Sequence, residues 1–194
     1  MWNTLATVGR SLTRPYDAVT DVVERRDWVT GIIIPAAVIG LLLSLMVIVP
    51  TGQSVAERWL GAGTGALLFG GTFFAAAGVV FLACRLVHGQ PEWRSVLAAW
   101  GVTYVPTGGW FLIMILSHLI FPGPQPYLGT FQIVFAIISL AFFLWKLLLY
   151  YFALRLAGQL SFRQIVLATA MLAPVAMAYW VVGYWLGLFK VPLI

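Results

Sequence analysis

The side chains that could move a proton or hold a metal ion are few, and their placement argues against catalysis. The chain of 194 residues has six acidic groups, Asp17, Asp21, Glu24, Asp27, Glu57 and Glu92, all before residue 93 and none inside a long apolar run. An intramembrane protease or proton relay would place Asp, Glu or His within such runs. Of the two histidines, His88 lies in a polar turn, and His118 near the end of an apolar run reads as an interfacial aromatic rather than a ligand. There are no paired carboxylates, no HExxH, no cysteine cluster and no glycine loop following a strand. The lone cysteine, Cys84, excludes an internal disulfide and reads as a small buried hydrophobe. The expectation is a protein without catalytic residues, metal or cofactor, and not an enzyme.

Lys146 is the exception. It follows Trp145 within an apolar run and lies nine positions before Arg155, about 13 Å from it along a helix. The favoured reading is snorkelling toward headgroups. The functional alternative is a cation facing the interior of a bundle. There it would meet a lipid phosphate, a partner, or a carbonyl released by Pro106 or Pro174, with Tyr104, Tyr150 and Tyr151 as further polar contacts.

The elements that would position these residues follow from composition. The chain is 62% hydrophobic and 9% charged, against about 25% charged in an average soluble domain. Lipid is therefore the expected solvent, and the expected fold is all-α: a polytopic membrane protein built as a five-helix bundle. The spans fall at about 29–49, 59–86, 95–121, 130–155 and 162–188, each close to or longer than the roughly 20 residues needed to cross hydrocarbon. Together they make a membrane domain over 29–194. Residues 1–28 form a short amphipathic arm rather than a cleavable signal peptide. In it Trp2, Leu5, Val8 and Leu12 recur at helical steps, and Tyr16, Val19 and Val23 share a face of a second helix that Pro15 opens. The arm is expected to lie on the bilayer surface, with docking as the alternative.

Within the second span, Gly61 and Gly65 form a GxxxG pair, and Gly70 and Gly71 follow. Small residues allow close helix approach. They suit a central helix of the bundle, or, less simply, a homo-oligomer interface. Pro106 should kink the third span and free the Val102 carbonyl, with Thr103 or Thr107 near enough to bond it. Pro174 lies mid-way along the fifth span. A stiff uncharged loop, Pro122-Gly123-Pro124-Gln125-Pro126, joins spans three and four.

Charge fixes the expected orientation. The net charge of +5 shows no basic patch with interleaved stacking aromatics, so no nucleic acid is expected. Arg10, Arg14, Arg25 and Arg26 precede the first span, and Arg85, Arg94, Arg155 and Arg163 flank two tight turns. Only Arg58 and Lys190 fall on the other side. The positive-inside rule then puts the N-terminus in the cytoplasm and the C-terminus outside, in a plasma membrane, with the four turn arginines as contacts for lipid headgroups or a partner.

The two turns align as Gly-Gln-x-x-aromatic-Arg, Gly89 to Arg94 and Gly158 to Arg163. Spans two and three therefore read either as a parallel repeat of spans four and five, or as convergence of two tight turns. Ser161 and Gln164 form a capping box for the fifth span.

Several short motifs in this order resemble the Yip domain family (Ypt/Rab-interacting proteins) in its short prokaryotic form. They are Arg14-Pro15-Tyr16-Asp17-Ala18, Tyr104-Val105-Pro106, Trp145-Lys146 and Leu160-Ser161-Phe162-Arg163-Gln164. The resemblance implies a five-helix integral membrane protein. Eukaryotic members are associated with Rab GTPases and vesicle traffic. Their Asp-Leu-x-Gly-Pro signature is replaced here by Arg26-Asp27-Trp28-Val29-Thr30-Gly31, and the arm is shorter, so no Rab partner is expected. The function expected is a non-enzymatic scaffold or adaptor that contacts membrane lipids and a membrane-protein partner or a second copy of itself. The alternative is a small permease-like unit or a lipid or solute transport component.

Overall fold

A computed structural model describes residues 2–48, 54–120 and 130–185. The Pro-rich loop at 122–126, Lys190 and the last positions of the fifth span lie outside the described residues. Among the described residues eight helices follow one another: α1 (Trp2–Thr13), α2 (Pro15–Glu24), α3 (Trp28–Ile48), α4 (Val55–Leu86), α5 (Trp93–Val102), α6 (Val105–Ile120), α7 (Thr130–Leu156) and α8 (Phe162–Trp185). Five stretches of the described residues are long and apolar enough to cross a membrane: Trp28–Met46, Trp59–Leu86, Trp93–Ile120, Ile133–Leu156 and Phe162–Gly183. The chain is an all-α, multi-pass membrane bundle.

The central element is the third span rather than the glycine-rich second. The α5–α6 stretch is the most buried of the five. Helix α3 packs along α4, α5 and α6, and α7 along α6 and the arm. Small residues explain the tightest crossing. A Cβ on Gly101 would fall 2.0 Å from the Gly31 carbonyl oxygen, and one on Gly31 would fall 2.5 Å from Ala98 Cα. The backbones of α3 and α5 therefore touch with no room for a methyl group. Gly65 and Gly70 of α4 face Met46 and Ile39 of α3, whereas Gly61 and Gly71 have open space beside them.

The third span is broken rather than merely kinked. Thr103 N–H donates to the Trp100 carbonyl and Tyr104 N–H to the Gly101 carbonyl, each at 3.1 Å. These three-residue steps close α5, and Pro106 stands in the first turn of α6, where its missing N–H matters least. The Thr103 hydroxyl bonds the Trp100 carbonyl at 2.7 Å rather than that of Val102. By contrast, α8 runs unbroken through Pro174, and α3 through Pro35.

The arm is built into the bundle. Helix α2 packs on α5 and α7, and Ala18, Val19 and Val22 are sealed from the surface. The buried face keeps Val19 of the expected Tyr16–Val19–Val23 face and adds Ala18 and Val22, while Tyr16 is exposed and Val23 only partly buried. Helix α1 turns its hydroxyl side inward: Thr4, Thr7 and Ser11 are buried, while Leu5 and Leu12 point outward. Thr7 and Ser11 bond the carbonyls of Asn3 and Val8, and Thr4 bonds Thr30 at 3.2 Å. The buried hydroxyls are satisfied, so small polar residues can pack closely there. Asp27 caps α3, accepting from the Thr30 N–H at 3.1 Å and the Thr30 hydroxyl at 2.8 Å.

Candidate functional site

Two regions collect the side chains that sequence singled out. The first is the arginine-bearing end, where three connections meet. Arg26 pairs with Glu92 at 3.0 Å, joining the arm to the α4–α5 turn. Gln164 Nε2 donates to the Val87 carbonyl at 2.8 Å, joining that turn to the α7–α8 turn. The two Gly-Gln turns lie directly against each other. A Cβ on Gly89 would sit 2.6 Å from the Gly158 carbonyl oxygen, and one on Gly158 would sit 2.9 Å from Cys84 Sγ. Cys84 is buried at this junction.

Both turns start their next helix four residues after the glycine, at Trp93 and Phe162, as the alignment requires. Their left-handed residues differ, His88 in one turn and Gln159 in the other. The capping box of α8 appears through its backward half, Ser161 N–H donating to Gln164 Oε1 at 2.9 Å. Arg10 and Arg25 share Asp21, at 3.1 and 2.7 Å. Arg10, Arg14, Arg25, Arg26, Arg85, Arg94, Arg155 and Arg163 are all exposed. The Arg85 guanidinium also lies over the Phe81 ring at 5.6 Å.

The second region lies between α6 and α7. Lys146 points to the helix pair rather than along the surface. Its Nζ donates to Thr107 Oγ1 at 3.1 Å and stands 5.2 Å from the centre of the Tyr104 ring, within cation–π range. Tyr104, at the break of the third span, is fixed from the other side by Phe69 and Phe73 of α4, with ring centres 5.5 and 5.3 Å away. Ala77, as far before Gly89 as Lys146 is before Gly158, belongs to a buried cluster with Phe73 and Leu97 against which this tyrosine packs. Under the turn alignment, the position in α4 that corresponds to Lys146 is thus an alanine.

Pro106, Thr107, Trp110, Ser139, Phe142, Phe143 and Lys146 line a small cleft with about 20 Å³ of room for the centre of a water molecule, enough for one. Trp145, beside Lys146, donates its indole N–H to the Ser11 carbonyl at 3.1 Å. That bond ties the arm to α7 eleven residues before Leu156, roughly 16 Å along the helix.

Sequence reasoning marked Lys146, Tyr104 and Pro106, and the structure brings these three together. Pro174 is exposed on α8, away from the cleft. Tyr150 bonds Thr169 at 3.2 Å, linking α7 to α8 instead of reaching Lys146. Thr107, Trp110, Ser139, Phe142 and Phe143 were missed. A usable signal existed for three of them: Ser139, Phe142 or Phe143, and Lys146 recur at helical steps along one stripe of α7. His118 holds the Met114 carbonyl through Nδ1 at 2.9 Å. Among the described residues no three His, Cys, Asp or Glu side chains gather as a metal site would require.

No curated protein and no solved structure matches the chain. The family model described as the Yip1 domain matches residues 9–184. This span takes in most of the arm, both Gly-Gln turns and the α6–α7 cleft, and on it the chain belongs to the Yip1 domain family of membrane proteins.

Proposed function

We propose that the chain is a non-enzymatic membrane scaffold. In this reading it lies in the plasma membrane with its arginine end in the cytoplasm and its C-terminus outside, and it holds a membrane-protein partner or a second copy on that end. The observation that carries the reading is the construction of the end. The arm is held to the bundle through Arg26–Glu92 and Trp145–Ser11, and the two turns to each other through Gln164–Val87; together they present eight exposed arginines. Exposed arginine is suited to carboxylate and phosphate recognition, and a surface held by these links does not have to be ordered on binding. The turn arginines Arg85, Arg94, Arg155 and Arg163 are the contacts. The test is affinity capture from detergent-solubilised membranes. A stoichiometric partner, lost when Arg94 and Arg163 become Glu, supports the scaffold.

A second reading, a small transport component, has one observation in its favour. The third span is interrupted at Thr103–Tyr104 beside a cation, as discontinuous helices are at transporter sites. Solute or lipid flux in liposomes holding only this protein, lost in Lys146→Leu, would favour it over the scaffold.

A further inference from the structure

Among the described residues no carboxylate is paired with Lys146. An ammonium group offers three N–H donors, and the Thr107 hydroxyl takes one. The ion pairs among the described residues all lie elsewhere: Asp21 serves Arg10 and Arg25, and Glu92 serves Arg26. Asp27 caps α3, and Glu57 caps α4 at the far end of the bundle. A cation at this depth is costly unless something compensates its charge, and the Tyr104 face does so only in part. An anion delivered from the surrounding membrane would supply the missing counter-charge.

What can reach it is set by the surroundings. Phe143, which lines the cleft, is turned outward from the bundle, as are Leu140, Leu144 and Leu147 beside it on α7, so the mouth meets acyl chains. Polar surface lies close as well. Trp145 bonds Ser11, and Ser11 is three residues before exposed Arg14, so the arm brings a polar, cationic surface beside the helix that carries Lys146. The room available, near that of one water, admits a phosphate oxygen and not a whole headgroup. Thr107, already accepting from Lys146, can turn its own O–H toward the same oxygen.

We propose that the α6–α7 cleft binds the phosphate of an acidic membrane phospholipid. Lys146 Nζ and the Thr107 hydroxyl hold one phosphate oxygen, Trp110 and Phe142 wall the cleft, and Phe143 receives the start of an acyl chain. Selectivity for an acidic lipid arises because a choline headgroup carries its own cation, which opposes a site built on an uncompensated lysine.

The experiment is a titration of the purified full chain, followed by thermal unfolding in a neutral detergent, with short-chain phosphatidylglycerol, short-chain phosphatidylcholine and inorganic phosphate as probes. The wild type should be stabilised by phosphatidylglycerol well beyond phosphatidylcholine, and inorganic phosphate should do nothing. Lys146→Leu should weaken the apparent phosphatidylglycerol affinity at least about tenfold, as loss of a charge-assisted hydrogen bond implies. Lys146→Arg should keep most of it. Ser139→Phe fills the cleft without removing the cation and should weaken binding similarly, which keeps the test decisive if Lys146→Leu fails to fold. Undiminished affinity in Lys146→Leu or Ser139→Phe would overturn the proposal. So would equal stabilisation by phosphatidylcholine, or by phosphate alone, which would mark a free-anion site.

Discussion

The Lys146 ammonium stands 5.2 Å from the centre of the Tyr104 ring, and this pairing joins α7 to the point where the third span breaks. Because Phe69 and Phe73 press on Tyr104 from α4, the tyrosine links three spans at once. Tyr104→Phe keeps the ring and should cost under about 1 kcal/mol. Tyr104→Ala opens a cavity among those rings and should cost about 3–5 kcal/mol, in the range of large-to-small core changes. Thermal unfolding in detergent of the two variants beside wild type reads the difference.

The α3–α5 crossing should be the least tolerant place in the bundle. Gly101→Ala places a methyl 2.0 Å from the Gly31 carbonyl oxygen, a backbone clash that no rotamer relieves. Destabilisation beyond the usual overpacking range of about 1–3 kcal/mol is expected. Gly61→Ala meets nothing within 4 Å and should be neutral or slightly stabilising, since alanine favours helix over glycine by about 1 kcal/mol. Size-exclusion profiles after graded heating separate these outcomes.

The glycines show where sequence was legible and where it was not. Apolar run length located all five spans, because the bilayer sets that length regardless of tertiary detail. The GxxxG pair in α4 stood out as a pattern, yet Gly61 faces open space, and the crossing that needs glycine uses Gly31 and Gly101 from two different helices. Such a contact has no signature within either segment. The arm was read as lying on the bilayer surface; Leu5 and Leu12 do point outward, but the other side of the helix docks on the bundle through Thr4, Thr7 and Ser11, whose hydroxyls are satisfied by Thr30 and by the carbonyls of Asn3 and Val8 and so can be buried. Lys146 was visible as an anomaly. Its direction was not, because Thr107 lies 39 residues away in the chain.

Docking of the arm rests on an apolar face and on side-chain links that include Trp145–Ser11, Thr4–Thr30 and Arg26–Glu92. Trp145→Phe removes the donor to Ser11 at little change in volume and should loosen the arm by about 1 kcal/mol. Val19→Asp puts a charge into a site with no exposure and should release it. Hydrogen exchange should rise over residues 2–24 in both variants, more in the second, while α3 and α4 stay protected.

The link between the two turns should depend on Gln164 more than on the exposed ion pair. Gln164→Leu loses the bond to Val87 and the cap on Ser161 and should cost about 1–2 kcal/mol. Arg26→Ala breaks an exposed pair and should cost at most about 1 kcal/mol, less at high salt. Unfolding measured at two ionic strengths distinguishes them.

At the opposite end, Ser54 and Glu57 form a reciprocal capping box. The Ser54 hydrogen bonds hold the Glu57 carboxyl below its ordinary value. A depressed folded-state value means the contribution is full above the usual carboxylate range and is lost as pH falls through the folded value. The stability difference between wild type and Glu57→Gln should be largest near neutral pH and shrink on acidification.

The scaffold reading predicts that capture of the tagged full chain from gently solubilised membranes recovers a membrane protein, or a second copy, in fixed stoichiometry. Recovery should fall by at least about tenfold when Arg94 and Arg163 become Glu, since charge reversal at two contacts removes more than 1.4 kcal/mol. Capture unaffected by that double reversal, or no stoichiometric partner together with flux through liposomes containing this chain alone, would contradict it.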